Sequence, residues 1–233
     1  MNKKILVSDY DQTFYLNDED LEKNKIAVNS FRAKGNLFVF ATGRSFYDFH
    51  RKIDKYNIKF DYAILNHGAT IIDKDDNVFV NFPMPNEIIK DLKKDLRLEK
   101  RQKGFCCKRL ESRVDFRFKD LTKINVTYTS KEEAISVNNI INKKYKKYVN
   151  CYYIMGSSLE IISNKTSKSN AIKILLEKLK LPKESVYTIG DGYSDIDMVK
   201  DFNGYAINDS IDELKKVAKK EYNSVSKLIS DII

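Results

Sequence analysis

Short apolar runs that end in acidic or hydroxyl residues constrain this chain more than any other feature. Ile5-Leu6-Val7, Leu37-Phe38-Val39-Phe40-Ala41, Tyr62-Ala63-Ile64-Leu65 and Val186-Tyr187-Thr188-Ile189 are each too short for a buried helix, so they read as buried strands. Between them lie stretches with helical signals. One covers residues 18–34 and ends at Gly35 in the manner of a C-terminal cap. Ser45, with Asp48 three residues on, can cap a second that runs to residue 57. Strands alternating with helices predict a doubly wound α/β fold with a parallel sheet and right-handed crossovers. Such sheets bind ligands in the crevice at the C-terminal ends of their strands.

The alternation stops at Phe82-Pro83-Met84-Pro85, after a hairpin predicted over residues 69–82 with its turn at Lys74-Asp75-Asp76-Asn77. Beyond it, Ile88, Ile89, Leu92 and Leu96 form a helical stripe. Strand-like stretches follow at 105–108, 114–118, 124–128 and 148–154, and Ser130 with Glu133 caps a Lys-rich helix. Residues 83–158 therefore read as an inserted α+β domain, and residues 1–82 and 159–233 as one catalytic core. Leu159-Glu160-Ile161-Ile162 is the expected return to the first domain.

With 233 residues, 42% of them hydrophobic, the chain can bury a full core. No run is long enough for a membrane helix, and Lys3-Lys4 precedes too short an apolar stretch for a secretory signal. The cysteines, Cys106-Cys107 and Cys151, have no metal-site or disulfide spacing, which suits a reducing, cytoplasmic setting. Net charge is +9, and nearly all of it lies between Pro83 and Glu160, where 18 basic residues face 10 acidic ones. A basic insert attracts nucleic acid, an acidic membrane surface or an anionic small molecule, unless its lysines are merely solvated. Arg97, Arg101, Arg109, Arg113 and Arg117 are the candidates to meet a substrate carrying negative charge beyond one phosphate.

Candidate site residues fall where strands end or helices begin. Asp9 and Asp11 follow the first strand, and two positions apart on extended chain they point the same way. Adjacent carboxylates oppose each other's ionisation, and a hard divalent cation such as Mg²⁺ relieves that repulsion. A strand-to-loop turn decorated with Asp would look the same. Thr42 follows the second strand, and could equally be a helix-entry residue. Lys168 opens a helix, where a cation opposes the macrodipole unless an anion binds beside it; Lys165 competes for that role. Asp191 sits between two glycines directly after a buried strand, with Ser194 and Asp195 just beyond. Ser194 can also be read as an N-cap, with Asp197 three residues on.

The ordered series DYDQT, ATGR, KSNA and GDGYSD resembles the haloacid dehalogenase superfamily of phosphatases, in its Cof-like branch. The stretch LEIISNKTSKSNAI is also similar to that branch's approach to its lysine, and the large insert lies where Cof-like members carry an α/β cap. The resemblance implies Asp9 as nucleophile and Asp11 as general acid/base. It implies Thr42, Gly43, Lys168 and Ser194 around the phosphoryl group, with Arg44 and Asn66 toward the substrate. Asp9, Asp11, Asp191 and Asp195 would surround Mg²⁺, Asp195 in a supporting place. The implied activity is hydrolysis of a small phosphorylated metabolite.

Three positions depart from the branch's pattern: Gln12 replaces a usual Gly, Ser194 a usual Asn, and His67 interrupts a usual Asn-Gly pair. Phosphotransfer to an acceptor other than water would use the same groups. A phosphorylation-receiver domain also uses paired acids, but it is about half this length and has no cap. A nucleic-acid-binding protein would explain the basic insert, yet no binding motif supports it.

Overall fold

The computed structural model describes residues 3–154 and 156–233. The main sheet has eight strands: β1 (Ile5–Ser8), β2 (Leu37–Ala41), β3 (Tyr62–Leu65), β4 (Thr70–Asp73), β5 (Val78–Asn81), β11 (Val186–Gly190), β12 (Asn203–Ile207) and β13 (Glu221–Tyr222). A second sheet has five: β6 (Arg101–Lys108), β7 (Glu111–Val114), β8 (Lys123–Tyr128), β9 (Val149–Ile154) and β10 (Ser158–Ser163). The helices are α1 (Asp18–Ala33), α2 (Phe46–Tyr56), α3 (Asn86–Asp95), α4 (Lys131–Tyr145), α5 (Lys168–Leu179), α6 (Ile196–Asp201), α7 (Asp212–Lys215) and α8 (Val225–Ile232).

The main sheet runs β13-β12-β11-β1-β2-β3-β4-β5. Its strands are parallel from β13 to β3, and β4 and β5 add an antiparallel hairpin at one edge. That hairpin turns as predicted: Asp73 Oδ1 accepts the amides of Asp75 and Asn77, both at 2.9 Å. Side-chain alternation explains why the central parallel strands, covered on both faces, are mostly apolar. In β1, Leu6 enters a core with α1, α2 and α8, while Ile5 and Val7 enter the opposite core with α5, α6 and α7. β1 and β11 lie side by side in register, which brings their C-terminal ends together.

The second sheet is antiparallel, in the order β7-β6-β8-β10-β9. Ile89 and Leu92 of α3 and Ala134, Val137 and Ile141 of α4 pack a third core against it. Two expectations change here. The segment expected to return to the first domain, Leu159 to Ile162, instead pairs with β8 and β9 in the second sheet. Its Leu159 and Ile161 are sealed in the core of that sheet, so the hydrophobic pattern was right and the partner strand wrong. The strand expected at 114–118 is β7, ending at Val114. Asp115 stops it by accepting the backbone amide of Arg117 in a local turn.

Candidate active site

β1 carries Asp9 to its end, where the Asp9 amide donates to the Ile189 carbonyl at the end of β11 (3.0 Å). Ser167 caps α5 by accepting the Asn170 amide, and this places Lys168 as the first residue of the helix. The Lys168 ammonium is 1% exposed and bridges two carboxylates, donating to Asp9 Oδ1 at 2.8 Å and Asp195 Oδ1 at 2.6 Å. The other oxygen of Asp195, Oδ2, accepts the amides of Asp191 (3.1 Å) and Gly192 (3.0 Å). Close approach of Asp195 demands glycine at 190, because a Cβ there would meet the Asp195 side chain at 2.5 Å. Asp191 in turn accepts the Thr13 hydroxyl at 2.6 Å.

One carboxylate oxygen from each of Asp9, Asp191 and Asp195 lies within 4.8 Å of the other two. Three carboxylates thus cluster beside one ammonium, which binds two of them. Burial pushes the Asp9 carboxyl well above the ordinary carboxylate range, reinforced by the charges of Asp195 and Asp191 and opposed by Lys168. Asp191 is raised by burial and by Asp195. Burial alone would lower the pKa of Lys168, but Asp195 and Asp9 hold it above its ordinary value. An oxygen-rich site with excess negative charge fits a hard divalent cation.

Asp11 goes elsewhere. Arg44 takes both of its oxygens, Nε to Oδ2 at 2.8 Å and Nη2 to Oδ1 at 2.6 Å, and lies over the Tyr10 ring. The Asp11 carboxylate thus stands apart from Asp9: the bidentate arginine draws it aside, and the acidic cluster is Asp9, Asp191 and Asp195. Gln12 adopts φ 57°, the left-handed conformation that a glycine accepts without cost. The turn is thus held by a residue less suited to it than glycine.

Asp9, Asp11, Thr42, Gly43, Arg44, Lys168, Asp191, Ser194 and Asp195 all line one cavity of about 550 Å³. The Thr42 hydroxyl accepts the Arg44 amide (3.1 Å), and its carbonyl accepts the His67 amide (3.0 Å), so the turn after β2 is pinned to the loop after β3. Asn66 does not reach the cavity: it is fully buried behind His67, which does. Lys165 lines a separate surface hollow. Ser194 is no N-cap; Gly192 begins that turn, and the Asp195 carboxylate takes its amide.

The antiparallel sheet supplies Phe105, Lys123, Tyr152, Tyr153, Ile154 and Glu160 to the cavity wall. None of the five insert arginines lines it. Arg97 pairs with Glu133, Arg113 with Asp48 and Arg117 with Asp115, and Arg101 lies over Phe116. The expectation that they face the substrate is corrected in that none lines the cavity, although Arg113 holds Asp48, which does; among the described residues the insert's cation in the lining is Lys123, matched by Glu160. Thr13, Lys123 and Glu160 escaped the sequence reading. A lone charge inside an otherwise apolar strand, as in Leu159-Glu160-Ile161, was the available signal.

Comparison with known proteins agrees with this geometry. The family model of haloacid dehalogenase-like hydrolases matches residues 6–112 and 99–227. A protein of Buchnera aphidicola from Baizongia pistaciae, named "Putative phosphatase", is 24% identical over 265 aligned positions, 98% of this chain and 97% of its own. A Haemophilus influenzae protein of the same name is 24% identical, over 84% of this chain and 81% of its own. Among solved structures, a haloacid dehalogenase-like hydrolase of Bacteroides thetaiotaomicron superposes with TM-score 0.84 at 19% identity, covering 100% of both chains. A chain from Plasmodium vivax labelled HAD/COF-like gives TM-score 0.86 at 16% identity, over 99% of this chain and 95% of that one. The chain is an enzyme that belongs to the haloacid dehalogenase-like hydrolases.

Proposed function

We propose that the chain is a Mg²⁺-dependent phosphatase that hydrolyses a phosphomonoester of a small metabolite through a phospho-aspartyl intermediate. One observation carries the reading: Lys168 binds Asp9 and Asp195 at once, beside Asp191, in a cavity at the strand ends. Asp9 and Asp191 would hold the cation, with Asp195 orienting Lys168 and the Asp191 loop through its two occupied oxygens. When bound, the cation supplies positive charge to the carboxylates and to the phosphoryl oxygens.

Asp9, fixed through Oδ1 by Lys168, is the nucleophile. Its carboxylate forms a bond to phosphorus as the bond to the leaving oxygen breaks, and Asp11 as an acid gives that oxygen a proton. Asp11 then takes a proton from the water that attacks phosphorus, which frees inorganic phosphate and restores Asp9. Arg44 must loosen its bidentate hold for Asp11 to carry the proton. The Thr42–Gly43 turn, Ser194 and Lys168 receive the phosphoryl oxygens. The antiparallel sheet acts as a cap that now extends through Ser163. Its cavity wall carries one cation balanced by one anion among aromatic rings, which suits a leaving group without added negative charge.

The test is turnover of a generic aryl phosphate with Mg²⁺. Asp9→Asn should abolish it, and a retained rate would overturn the nucleophile assignment. A normal rate in Asp11→Ala would remove its acid/base role.

A further inference from the structure

Lys123 and Glu160 are buried charges that the chemistry above leaves unused. Both come from the antiparallel sheet, on the adjacent strands β8 and β10. The Lys123 ammonium, on a residue 2% exposed, donates to Glu160 Oε1 at 2.9 Å and to the Gly43 carbonyl at 2.6 Å. Glu160 Oε2 lies 2.7 Å from His67 Nε2, on the loop after β3, and Asn125 donates to Oε1 at 3.3 Å. The His67 ring lies flat against Gly43, where a Cβ would meet it at 2.4 Å, and Tyr152 covers it at 5.4 Å between ring centres. His67 holds φ 54°, so the backbone itself is bent to present the ring.

We propose that His67, Glu160 and Lys123 form a latch that couples docking of the cap to placement of the Thr42–Gly43 turn, and that all three are positioning residues for phosphoryl transfer. The inference rests on the phosphatase reading for what that turn holds. Two links, joined by the Lys123–Glu160 pair, run from the cap to the turn: Lys123 grips the Gly43 carbonyl directly, and Glu160 grips His67, whose amide donates to the Thr42 carbonyl. A buried ion pair is rarely a gain in stability over an apolar pair of the same size, because desolvation cancels the attraction. Its advantage is a fixed geometry, and here the fixed atoms are those of the turn at the cavity. When the cap lifts, Lys123 leaves Gly43 and the turn loses two of its restraints together.

Steady-state kinetics on an aryl phosphate, with inorganic phosphate as product inhibitor, test this. His67→Asn removes the ring but keeps a residue that accepts left-handed backbone, and it leaves the Lys123–Glu160 pair intact. It should lower kcat at least 10-fold and weaken phosphate inhibition by a similar factor, in protein that is folded by circular dichroism. Glu160→Gln should behave alike, and Lys123→Arg should keep more activity than Lys123→Met. Folded His67→Asn with wild-type kcat and wild-type phosphate inhibition overturns the latch. Asp9→Asn measured in parallel separates the two readings. If it is inactive while His67→Asn is normal, the latch alone fails; if it turns over, the Asp9 nucleophile assignment fails and phosphate affinity still reads the latch.

Discussion

Asp191 shows how a single side chain carries both a cost and a use. Burial and the charge of Asp195 raise its pKa, so its proton is held more tightly folded than unfolded. A raised carboxyl favours the fold at low pH, and that contribution is lost as pH rises through the folded value. At neutral pH the ionised group therefore strains the metal-free protein. Asp191→Asn should melt no lower than wild type in EDTA, since the amide can still accept from Thr13. Mg²⁺ at a hundred times its Kd should stabilise wild type by about 2.7 kcal/mol, which is a rise of roughly 5–11 °C for a chain of this size. Asp191→Asn should lose most of that rise in a thermal-shift assay, and equal shifts in both proteins would rule out Asp191 as a ligand. Asp9, Lys168, Asp191 and Asp195 were legible beforehand because each follows a strand or opens a helix. Thr13 was not, since a hydroxyl in a turn has many uses and only the fold reveals that Asp191 is its partner.

At the scale of elements, β2 matters beyond its delivery of Thr42. Phe40 is fully buried and touches a ring of aromatics, with Phe38 at 4.8 Å, Phe14 at 5.0 Å and Phe49 at 5.6 Å between centres. Tyr10, between the two site aspartates, lies 5.7 Å from the same ring. Phe40→Ala should cost about 3–5 kcal/mol through lost burial and the cavity left behind, read as a lower urea midpoint. A midpoint within error of wild type would mean that the cluster relaxes to fill the space. Activity should fall as well, because the void opens beneath the Asp9–Asp11 turn. The apolar runs of β1, β2, β3 and β11 foretold these strands because a parallel strand covered on both faces must be apolar throughout. β10 has the same kind of sequence but lies in the other sheet, and local pattern cannot tell one sheet from another.

For the whole molecule, the join between the two sheets is electrostatic where it meets the cavity. Burial would raise the Glu160 carboxyl, but Lys123 and His67 outweigh it and hold the pKa well below the ordinary range. A depressed carboxyl contributes stability that is present above its unfolded value of about 4.3 and is lost as pH falls toward the folded one. Wild type should therefore lose stability below about pH 4.3, with up to about 1.4 kcal/mol per pH unit from this one proton. Glu160→Gln should be weaker at pH 7 and show a flatter acid limb in urea unfolding; an unchanged slope would mean the pair stays accessible to water. Much of the insert's positive charge is spent on the surface, as in Arg97 and Lys100 on Glu133 and Lys144 on Asp95. Such exposed pairs are worth little individually, and they explain why net charge misjudged the cavity wall.

The sequence by itself determined the alternation that builds the main sheet, the insert, and the identity of the acids and the lysine at the strand ends, because burial and strand geometry are written in local residue order. Only the tertiary structure decided which side chains meet. It gave Asp11 to Arg44, paired Arg97 with Glu133 and Arg117 with Asp115, moved β10 into the second sheet and joined His67 to Glu160 across 93 positions of chain. Those pairings depend on distances that close only when the two sheets face each other, and no local pattern encodes them.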